Sequence, residues 1–275
     1  MGSANALRWD GRPGHYEVYY LTVTDPRSGV GIWIRYTMVA PFAATGEDAT
    51  CSLWFLAMDP RPGATPVLGR KANYGIDRLE ATREPFSLAI DGATLTDEGM
   101  AGSFEDVSWD LRWDPAAKPY QPVHPLLERL RVAKTVLVLP HAHVPVDGTV
   151  VLPGGEALEL ERTPGGQAHL WGSKHAGSWA WVHCNDFITS AGDPVDAFID
   201  GVSVTVPRFG REVGPSTPVV AMIDGAEFHS TSPLRIFRNQ SRYGLDGWRF
   251  DATDWALRVV GDVAPVREQL AGVTY

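Results

Sequence analysis

Basic clusters, long apolar runs and cysteines are all scarce in this sequence. Its 275 residues hold 24 Lys and Arg against 33 Asp and Glu, a net charge of −9, and no Lys/Arg cluster occurs. Nucleic-acid binding needs such clusters, so we expect no nucleic-acid partner. No run of 18 apolar residues is present, and the N-terminus lacks the apolar centre of a signal peptide. We therefore expect a cytoplasmic protein without a membrane span.

Motifs for cofactor chemistry are also missing. The glycine-rich segments PGG (153–155) and GREVG (210–214) match no nucleotide-binding fingerprint, and no G-x-S-x-G nucleophile motif occurs. The two cysteines, Cys51 and Cys184, lie far apart, which is typical of reduced thiols in a cytosolic protein. We expect no metal and no organic cofactor.

Turn-forming and aromatic residues, by contrast, are plentiful. The 28 Gly and 21 Pro make up 49 of the 275 residues, about 18%, against a usual share of about 12%. Ten Trp and eight Tyr favour strands. Strand patterns recur with turn signals every eight to fifteen residues, which predicts an all-β fold of the sandwich or barrel type.

The first two predicted strands form a hairpin. Runs 15–25 and 30–40 are rich in β-branched and aromatic residues and flank a Pro-Arg-Ser-Gly turn. Strand alternation assigns each side chain to one face of this hairpin. Four candidate site residues lie on its faces: Glu17, Tyr19, Trp33 and Arg35.

Further along the chain, a third strand is predicted over 49–59 and a helix of about two turns over 124–134. Asp147-Gly148 is a turn signal, because both residues tolerate positive φ. We place a domain boundary near residue 146, since strand patterns resume after it. The predicted domains are 1–146 and 147–275.

The segment from Gly166 to Phe187 concentrates three Trp and three His in 22 residues. Within 178–185, one strand face is small and apolar, and the other carries large side chains with polar tips. The upstream part continues this alternation before a Gly-Ser-Lys-His-Ala-Gly turn. We expect a hairpin with an aromatic, ligand-binding face. Its residues are Gln167, His169, Trp171, Trp179, Trp181, His183 and Asn185.

The spacing W-G, then W-x-W-x-x-x-N-x-F, over 171–187 resembles the signature of the tocopherol cyclase-like and carotenoid hydratase (hydroxyneurosporene synthase)-like proteins. The resemblance covers roughly residues 165–190. It implies an all-β fold of two lipocalin-like (calycin) antiparallel β-barrel halves side by side, with few short helices. The run 168–171, Ala-His-Leu-Trp, departs from the family, whose hydratases have an Asp beside this His.

The resemblance also implies a hydrophobic small-molecule substrate of terpenoid, carotenoid or polyketide type. The implied reaction is a cofactor-free cyclisation, hydration or isomerisation, in which π-faces stabilise a carbocation and an acid supplies a proton. We expect His169 and Glu17 to be catalytic, because burial in an aromatic strand raises the pKa of a carboxyl group. The expected substrate-binding residues are Tyr19, Trp33, Arg35, Trp171, Trp179, Trp181, His183 and Asn185.

Structural roles for the same residues stay open at this point. Glu17 can instead pair with Arg35 across the hairpin, and His183 can form an interior hydrogen-bonded pair with Asn185. Each Trp taken alone can serve barrel packing. The chain can also be a non-catalytic lipid or terpenoid carrier, or a partner-binding module with a filled interior. The oligomeric state is left open.

A metal site is a further alternative. His141-x-His143 places two imidazoles on one strand face, a spacing that many zinc and iron sites use. Prolines at 140 and 145 favour a linker over a rigid strand here. Candidate third ligands are His169, His175 and Glu17.

Overall fold

The computed structural model describes residues 3–116, 118–130, 133–174, 176–208 and 211–264. The chain divides into two compact units, each built from two separate stretches of sequence. Unit 1 consists of Met1–Pro119 and Leu137–Ser173. Unit 2 consists of Tyr120–Val136 and Lys174–Tyr275.

Unit 1 is built from eleven strands and two short 3₁₀ turns, at Ala43–Thr45 and Ile76–Arg78. The strands are β1 (His15–Thr24), β2 (Gly31–Ala40), β3 (Thr50–Met58), β4 (Val67–Gly75), β5 (Leu79–Arg83), β6 (Phe86–Ile90), β7 (Ala93–Thr96), β8 (Gly99–Phe104), β9 (Val107–Arg112), β10 (Thr135–Val151) and β11 (Ala157–Gly172).

The strands of unit 1 form one sheet in the order β4-β3-β2-β1-β11-β10-β9-β8-β7-β6-β5. Its two end strands, β4 and β5, are joined by the Ile76–Arg78 turn. The Tyr36 hydroxyl on β2 donates to the Thr94 carbonyl on β7, and the Trp109 indole on β9 donates to the Tyr36 oxygen. The sheet therefore curves round on itself into a barrel-like shape.

The interior of unit 1 is filled with apolar side chains from both flanks of the curved sheet. Tyr19 and Ile34 from one flank belong to the same cluster as Trp109 from the other. Full burial of one such side chain stabilises the fold by about 1.5–3 kcal/mol. Alternation along each strand, as the sequence predicted, determines which residues enter this core.

Unit 2 contains two short helices and smaller sheets. The elements are α1 (Pro125–Arg129), β12 (Ser178–Cys184), β13 (Phe187–Ile188), β14 (Pro194–Val195), β15 (Ala197–Arg208), β16 (Arg211–Ser216), β17 (Val219–Ile223), β18 (Ala226–Ser230), α2 (Pro233–Ile236), β19 (Gln240–Gly244), β20 (Gly247–Thr253) and β21 (Arg258–Val263).

One sheet of unit 2 has the order β12-β15-β17-β18, with β16 also paired to β15. A second has the order β19-β20-β21, and β13 pairs with β14. A core cluster of Val219, Phe228, Trp248 and Phe250 draws on both larger sheets. Among the described residues no helix can cross a membrane: α1 and α2 have five and four residues, whereas a span needs about 20.

The prediction of an all-β fold with few short helices is confirmed. The first three strands lie within one residue of their predicted limits at each end, and β1 and β2 form the predicted hairpin. The predicted helix over 124–134 is shorter, since α1 ends at Arg129. His124 caps it by accepting a hydrogen bond from the Leu126 N–H at 3.1 Å. Residues 131–132 of the predicted helix lie outside the described residues.

The two units do not divide at residue 146, near which the sequence predicts a boundary. β10 continues through this position, and its residues 147–151 pair with β9. β11 lies beyond the predicted boundary and pairs with β1. These ladders hold 137–173 in unit 1. Whether 1–146 and 147–275 are separate folding domains stays a prediction.

The predicted turn at Asp147-Gly148 is wrong, because both residues lie inside β10. Gly148 has a φ of 137°, and a Cβ added there would clash with the Asp110 carbonyl oxygen on β9. Glycine permits this close approach of two backbones. The turn between β10 and β11 lies further on and contains Gly154 and Gly155, both with positive φ.

The segment Gly166–Phe187 does not form one hairpin. β11 pairs with β1 in unit 1, whereas β12 pairs with β15 in unit 2. Both strands exist and alternate as predicted, but each finds its partner at a distance in the sequence. The expected aromatic face is therefore two faces in two units.

Candidate functional site

The structure separates the predicted site residues into three groups. Four lie at the interior face of unit 1: Glu17, Tyr19, His169 and Trp171. Two lie on the opposite face of the same sheet: Trp33 and Arg35. Four lie on β12 or directly after it in unit 2: Trp179, Trp181, His183 and Asn185.

Glu17 is fully buried, and its carboxylate accepts hydrogen bonds from five groups. The Tyr19 hydroxyl donates at 2.7 Å and His169 Nε2 at 2.8 Å. The other donors, at 2.8–3.0 Å, are the backbone N–H groups of Arg8 and Trp9 and the His15 imidazole. Every hydrogen-bonding direction of this carboxylate is therefore used inside unit 1.

Burial by itself raises the pKa of Glu17. The hydrogen bonds from His15 and His169, with the charge of His169, outweigh burial and lower the pKa from 4.5 to about 2. The expectation that burial makes Glu17 a usable acid is wrong, because the surrounding donors stabilise its ionised form. Burial, with the neighbouring Glu17 charge, raises the pKa of Tyr19 well above 10.0. The Tyr19 hydroxyl therefore stays a donor.

His169 lies between two hydrogen-bond acceptors. Nδ1 lies 2.9 Å from the Ala4 carbonyl oxygen, and Nε2 lies 2.8 Å from the Glu17 carboxylate. Both ring nitrogens therefore have a partner at hydrogen-bond distance. The Tyr19 ring stacks on it at 4.1 Å, and the Trp171 ring lies at 4.8 Å. This pair is fully satisfied.

Arg35 lies on the opposite face of the sheet from Glu17, so the alternative of an ion pair between them is wrong. The hairpin register places Met38, which shares the inner face, opposite Glu17. The Arg35 guanidinium lies over the Trp33 and Trp54 rings, at 5.5 Å and 5.4 Å. These cation–π contacts give Arg35 a buried aromatic setting.

In unit 2, β12 shows the predicted division into two faces. Ala180 and Val182 on one face pack against the core of unit 2. Trp181 and His183 share the other face, and their rings stack at 6.3 Å. Trp179 lies on the same face and is 51% exposed. The aromatic face is present, and its outer end reaches solvent.

His183 and Asp200 form a second buried pair. His183 Nδ1 lies 3.2 Å from Asp200 Oδ2, and the Trp181 indole N–H donates to the same oxygen at 3.1 Å. Asp200 is fully buried, and the His183 side chain is 4% exposed. Because Nδ1–H is directed at the carboxylate, Nε2 is the nitrogen that carries the lone pair when the ring is neutral.

Three buried atoms on or beside this pair have no hydrogen-bond partner among the described residues: His183 Nε2, Asp200 Oδ1 and Asn185 Nδ2. Such an atom costs about 1–3 kcal/mol, and it is rare unless a water, ion or ligand completes it. The cluster therefore combines a base (His183 Nε2), a hydrogen-bond acceptor (Asp200 Oδ1) and a hydrogen-bond donor (Asn185 Nδ2). The alternative of a satisfied His183–Asn185 pair is wrong, since the ring's bond goes to Asp200.

His141 and His143 lie within β10, so the expectation of a linker there is wrong. His141 Nδ1 accepts a hydrogen bond from the Ala116 N–H at 3.0 Å, and burial lowers the pKa of His141 to about 4. The described part of the chain holds no group of three His, Cys, Asp or Glu placed for a metal. Of the expected third ligands, His169 and Glu17 bind each other, and His175 lies outside the described residues.

A surface groove of about 580 Å³ in unit 1 lies elsewhere. It is lined by residues of β7, β8, β9 and β10, among them Thr94, Asp110 and Arg112. None of the predicted site residues lines it. The groove therefore lends no support to the predicted site.

Asp200 is the residue that sequence reasoning missed. It lies on β15, directly opposite His183 in the ladder with β12. It is also the one charged residue in the otherwise uncharged run Ala197–Val204. A single carboxylate inside an apolar strand is the signal that identifies it, because an unpaired charge is seldom buried without a role.

Comparisons with known proteins bear on the fold. No protein-family profile matches the chain. The uncharacterized proteins MT0513 and Rv0493c of two Mycobacterium tuberculosis strains are each 27% identical to it over 255 residues, 90% of this chain and 71% of theirs.

Among solved structures, a candidate AttH protein (NE1406) of Nitrosomonas europaea is similar with a TM-score of 0.53 and 13% identity, covering 90% of this chain and 82% of that one. Kievitone hydratase of Nectria haematococca has a TM-score of 0.45 and 10% identity, covering 94% and 92%. The Nitrosomonas structure confirms the lipocalin-like all-β fold class. At 13% identity it shows the fold alone.

Proposed function

We propose that this chain binds a hydrophobic small molecule of terpenoid, carotenoid or polyketide type. We further propose that it catalyses a cofactor-free hydration, cyclisation or isomerisation by acid–base chemistry at His183. Asp200 is the orienting partner of this imidazole, and Trp179 and Trp181 are walls for the apolar body of the substrate. The reaction class in this proposal is inferred from the resemblance to the tocopherol cyclase-like proteins. The residues are inferred from the geometry around His183 and Asp200.

The observation that carries the proposal is the open Nε2 of His183. This atom is buried and has no partner among the described residues. The other ring nitrogen, Nδ1, is hydrogen-bonded to Asp200, which fixes the orientation of the ring. A base oriented by a carboxylate is a recurring arrangement for proton transfer. General acid–base catalysis contributes about 10²–10⁴-fold to a rate.

In the proposed reaction the protonated His183 donates its Nε2 proton to one carbon of a substrate double bond. The adjacent carbon becomes a carbocation, which the π-faces of Trp179 and Trp181 stabilise. In a hydration, water attacks the cation and returns a proton to Nε2. In a cyclisation, a second double bond of the substrate attacks the cation, which forms the ring bond and leaves a new cation. In both a cyclisation and an isomerisation, a C–H bond beside the final cation then breaks: its proton passes to Nε2, and its electron pair forms the product double bond. Asp200 stabilises the imidazolium in each case.

His169 and Glu17, the residues first expected to be catalytic, take a secondary place in this proposal. The His169 imidazolium is the alternative proton donor, with Glu17 as its counter-ion. Its two N–H groups already bind Ala4 and Glu17, so donation from it requires a hydrogen bond to break. His183 needs no such step.

The first experiment is mass spectrometry of an organic extract from protein purified out of its native host. The enriched compound is then incubated with the protein in D₂O, since each proposed reaction places a deuteron on carbon. We expect His183→Ala to slow deuterium incorporation at least 100-fold. His229→Ala is the matched control, because His229 pairs with Glu227 at 3.2 Å in unit 2 but is about 40% exposed.

Equal rates for both variants would refute His183 as the catalytic group. A non-catalytic carrier is the second candidate, and the satisfied Glu17–His169 pair favours it, because such a pair has no free group for chemistry. A compound that is enriched but never deuterated would support the carrier. An empty extract without saturable binding of apolar probes would overturn both candidates.

A further inference from the structure

Residues Ser3–Trp9, here called the N-terminal strap, lie along the interior end of unit 1 where Glu17 and His169 meet. The Ala4 carbonyl accepts from His169 Nδ1 at 2.9 Å. The backbone N–H groups of Arg8 and Trp9 donate to Glu17 at 2.8 Å and 3.0 Å. The strap therefore completes the hydrogen bonding of the buried pair.

The strap makes a second set of polar contacts beyond Glu17. The Ser3 hydroxyl and the Asn5 amide both donate to Asp97 Oδ1, at 2.8 Å and 3.0 Å. Gln167 donates to Asn5 at 2.9 Å. The strap thus covers two carboxylates, Glu17 and Asp97, mainly by offering them N–H and O–H donors.

The strap also places a cation over an aromatic ring. The Arg8 guanidinium lies 5.0 Å from the Trp171 ring centre. Cation–π attraction of this kind stabilises the position of Arg8 over the ring. Arg8 itself is exposed and Trp171 is half-buried, so this contact lies at the rim, above the buried carboxylate.

What lies beneath the strap is a surface rich in acceptors. Glu17 and Gln167 are fully buried, and Gln167 Oε1 has no partner among the described residues. Around it are a second carboxylate, Asp97, and the indole face of Trp171. The titratable side chains that contact Glu17 are His15, Tyr19 and His169. Without the strap, Glu17 loses two donors, and the Trp171 face loses its cation.

We infer that the N-terminal strap is the built-in occupant of a binding site for an organic cation with an apolar body. In this site Glu17 and Asp97 accept hydrogen bonds from the ligand, Trp171 stacks on it, and Gln167 Oε1 accepts the remaining donor. The strap supplies each of these interactions except the last. A ligand that makes all of them displaces the strap by mass action.

The packing of the strap sets a cost for its release. Ala6 is buried, and Leu7 packs against the core of unit 1. A displacing ligand must therefore cover the apolar surface that Leu7 leaves behind. An aromatic amine such as benzylamine combines the charge, the donors and the apolar ring that the site requires.

The test is amide hydrogen exchange at Arg8 and Trp9 in the full chain, titrated with benzylamine. We expect exchange at these two amides to accelerate at least tenfold, with saturation. Benzyl alcohol, which has the same ring without the charge, should leave the exchange unchanged. The amides of Asp25 and Gly29, hydrogen-bonded in the β1–β2 turn, are the internal reference and should not respond.

No acceleration by benzylamine, equal acceleration by benzyl alcohol, or a parallel response at Asp25 and Gly29 would each overturn the inference. Glu17→Gln should speed exchange at Arg8 and Trp9 without any ligand and abolish the benzylamine effect. Glu47→Gln, the same change at an exposed loop position, should behave as the unchanged protein.

If Glu17→Gln does not fold, Trp171→Leu replaces it. This variant loses the Arg8 cation–π contact, so basal exchange at Arg8 and Trp9 should rise by no more than about fivefold. Its response to benzylamine should weaken, and an undiminished response would count against the site. The inference is independent of the proposed chemistry at His183, because the residues involved all belong to unit 1, whereas His183 and Asp200 belong to unit 2. Either one can fail while the other stands.

Discussion

Unit 1 and unit 2 each bury an imidazole beside a carboxylate, yet the two pairs differ in what surrounds them. Glu17 and His169 use all of their hydrogen-bonding sites. His183 and Asp200 each keep one buried atom without a partner among the described residues. A satisfied pair stabilises a fold, whereas an open pair costs stability and retains the capacity to bind. The difference teaches that residue type alone does not identify a site.

The largest expected effect is on the stability of unit 1. Glu17→Ala removes the acceptor of five hydrogen bonds and leaves the buried Nε2 of His169 without its partner. Removing one partner of a buried carboxylate–imidazole pair in this way costs about 3–5 kcal/mol. We expect that loss in the free energy of unfolding, measured by urea denaturation. Asp200→Ala should lower the free energy of unfolding by less, about 1–3 kcal/mol. A larger loss would contradict the contrast between the satisfied pair of unit 1 and the open pair of unit 2.

The pH dependence of stability should follow from the same carboxylate. Folding lowers the pKa of Glu17 from 4.5 to about 2, so its contribution is fully present above pH 4.5. It is lost as the pH falls toward 2, because the unfolded chain then binds the proton more readily. We expect the free energy of unfolding to fall by up to about 3 kcal/mol across this window. Urea titrations at several pH values should show a flatter profile for Glu17→Gln.

Asp200→Asn tests the open pair by its chemistry. The change keeps the shape of the side chain but removes the charge that stabilises a protonated His183. We expect deuterium incorporation into the extracted compound to fall about 100-fold, within the range for acid–base catalysis. The melting temperature should move by only a few degrees. An unchanged rate would show that Asp200 does not assist His183.

The smallest expected effect concerns two asparagines of unit 2. Asn185 has a buried Nδ2 without a partner among the described residues, so Asn185→Leu should change the free energy of unfolding by less than about 1 kcal/mol. Asn239 is the matched control, because its amide donates to the Thr217 carbonyl at 2.6 Å and to Ser230 at 2.8 Å. Asn239→Leu should cost about 1–3 kcal/mol. Equal costs in urea denaturation would show that Asn185 has a partner after all.

Local pattern was sufficient for much of the fold. The β1–β2 hairpin and the division of each of its strands into two faces followed from alternation, because side-chain direction in a strand has a period of two. The packing face of β12 followed in the same way. The turn at Asp147-Gly148 did not, because the same dipeptide also occurs inside a strand that another backbone approaches closely.

The candidate site was predictable only in part. His183 and Trp181 were identified by their cluster, but Asp200 lies 17 residues further on and reaches them through the β12–β15 ladder. The pKa of Glu17 was predicted in the wrong direction, because burial was visible in the pattern and the five donors were not. Two of those donors are backbone N–H groups of the N-terminal strap, which no side-chain pattern reveals.

Composition and periodicity thus established an all-β chain, its early strands and the residues that face a core, since these depend on neighbours a few positions away. Contacts between segments that are distant in the sequence determined the remaining features of the fold and of the site. It assigned β11 and β12 to different units, brought Asp200 to His183 and placed the strap on Glu17. Hydrogen bonds and charges act over a few ångströms, so only the folded arrangement of distant segments determines which buried group is satisfied and which is left open to react.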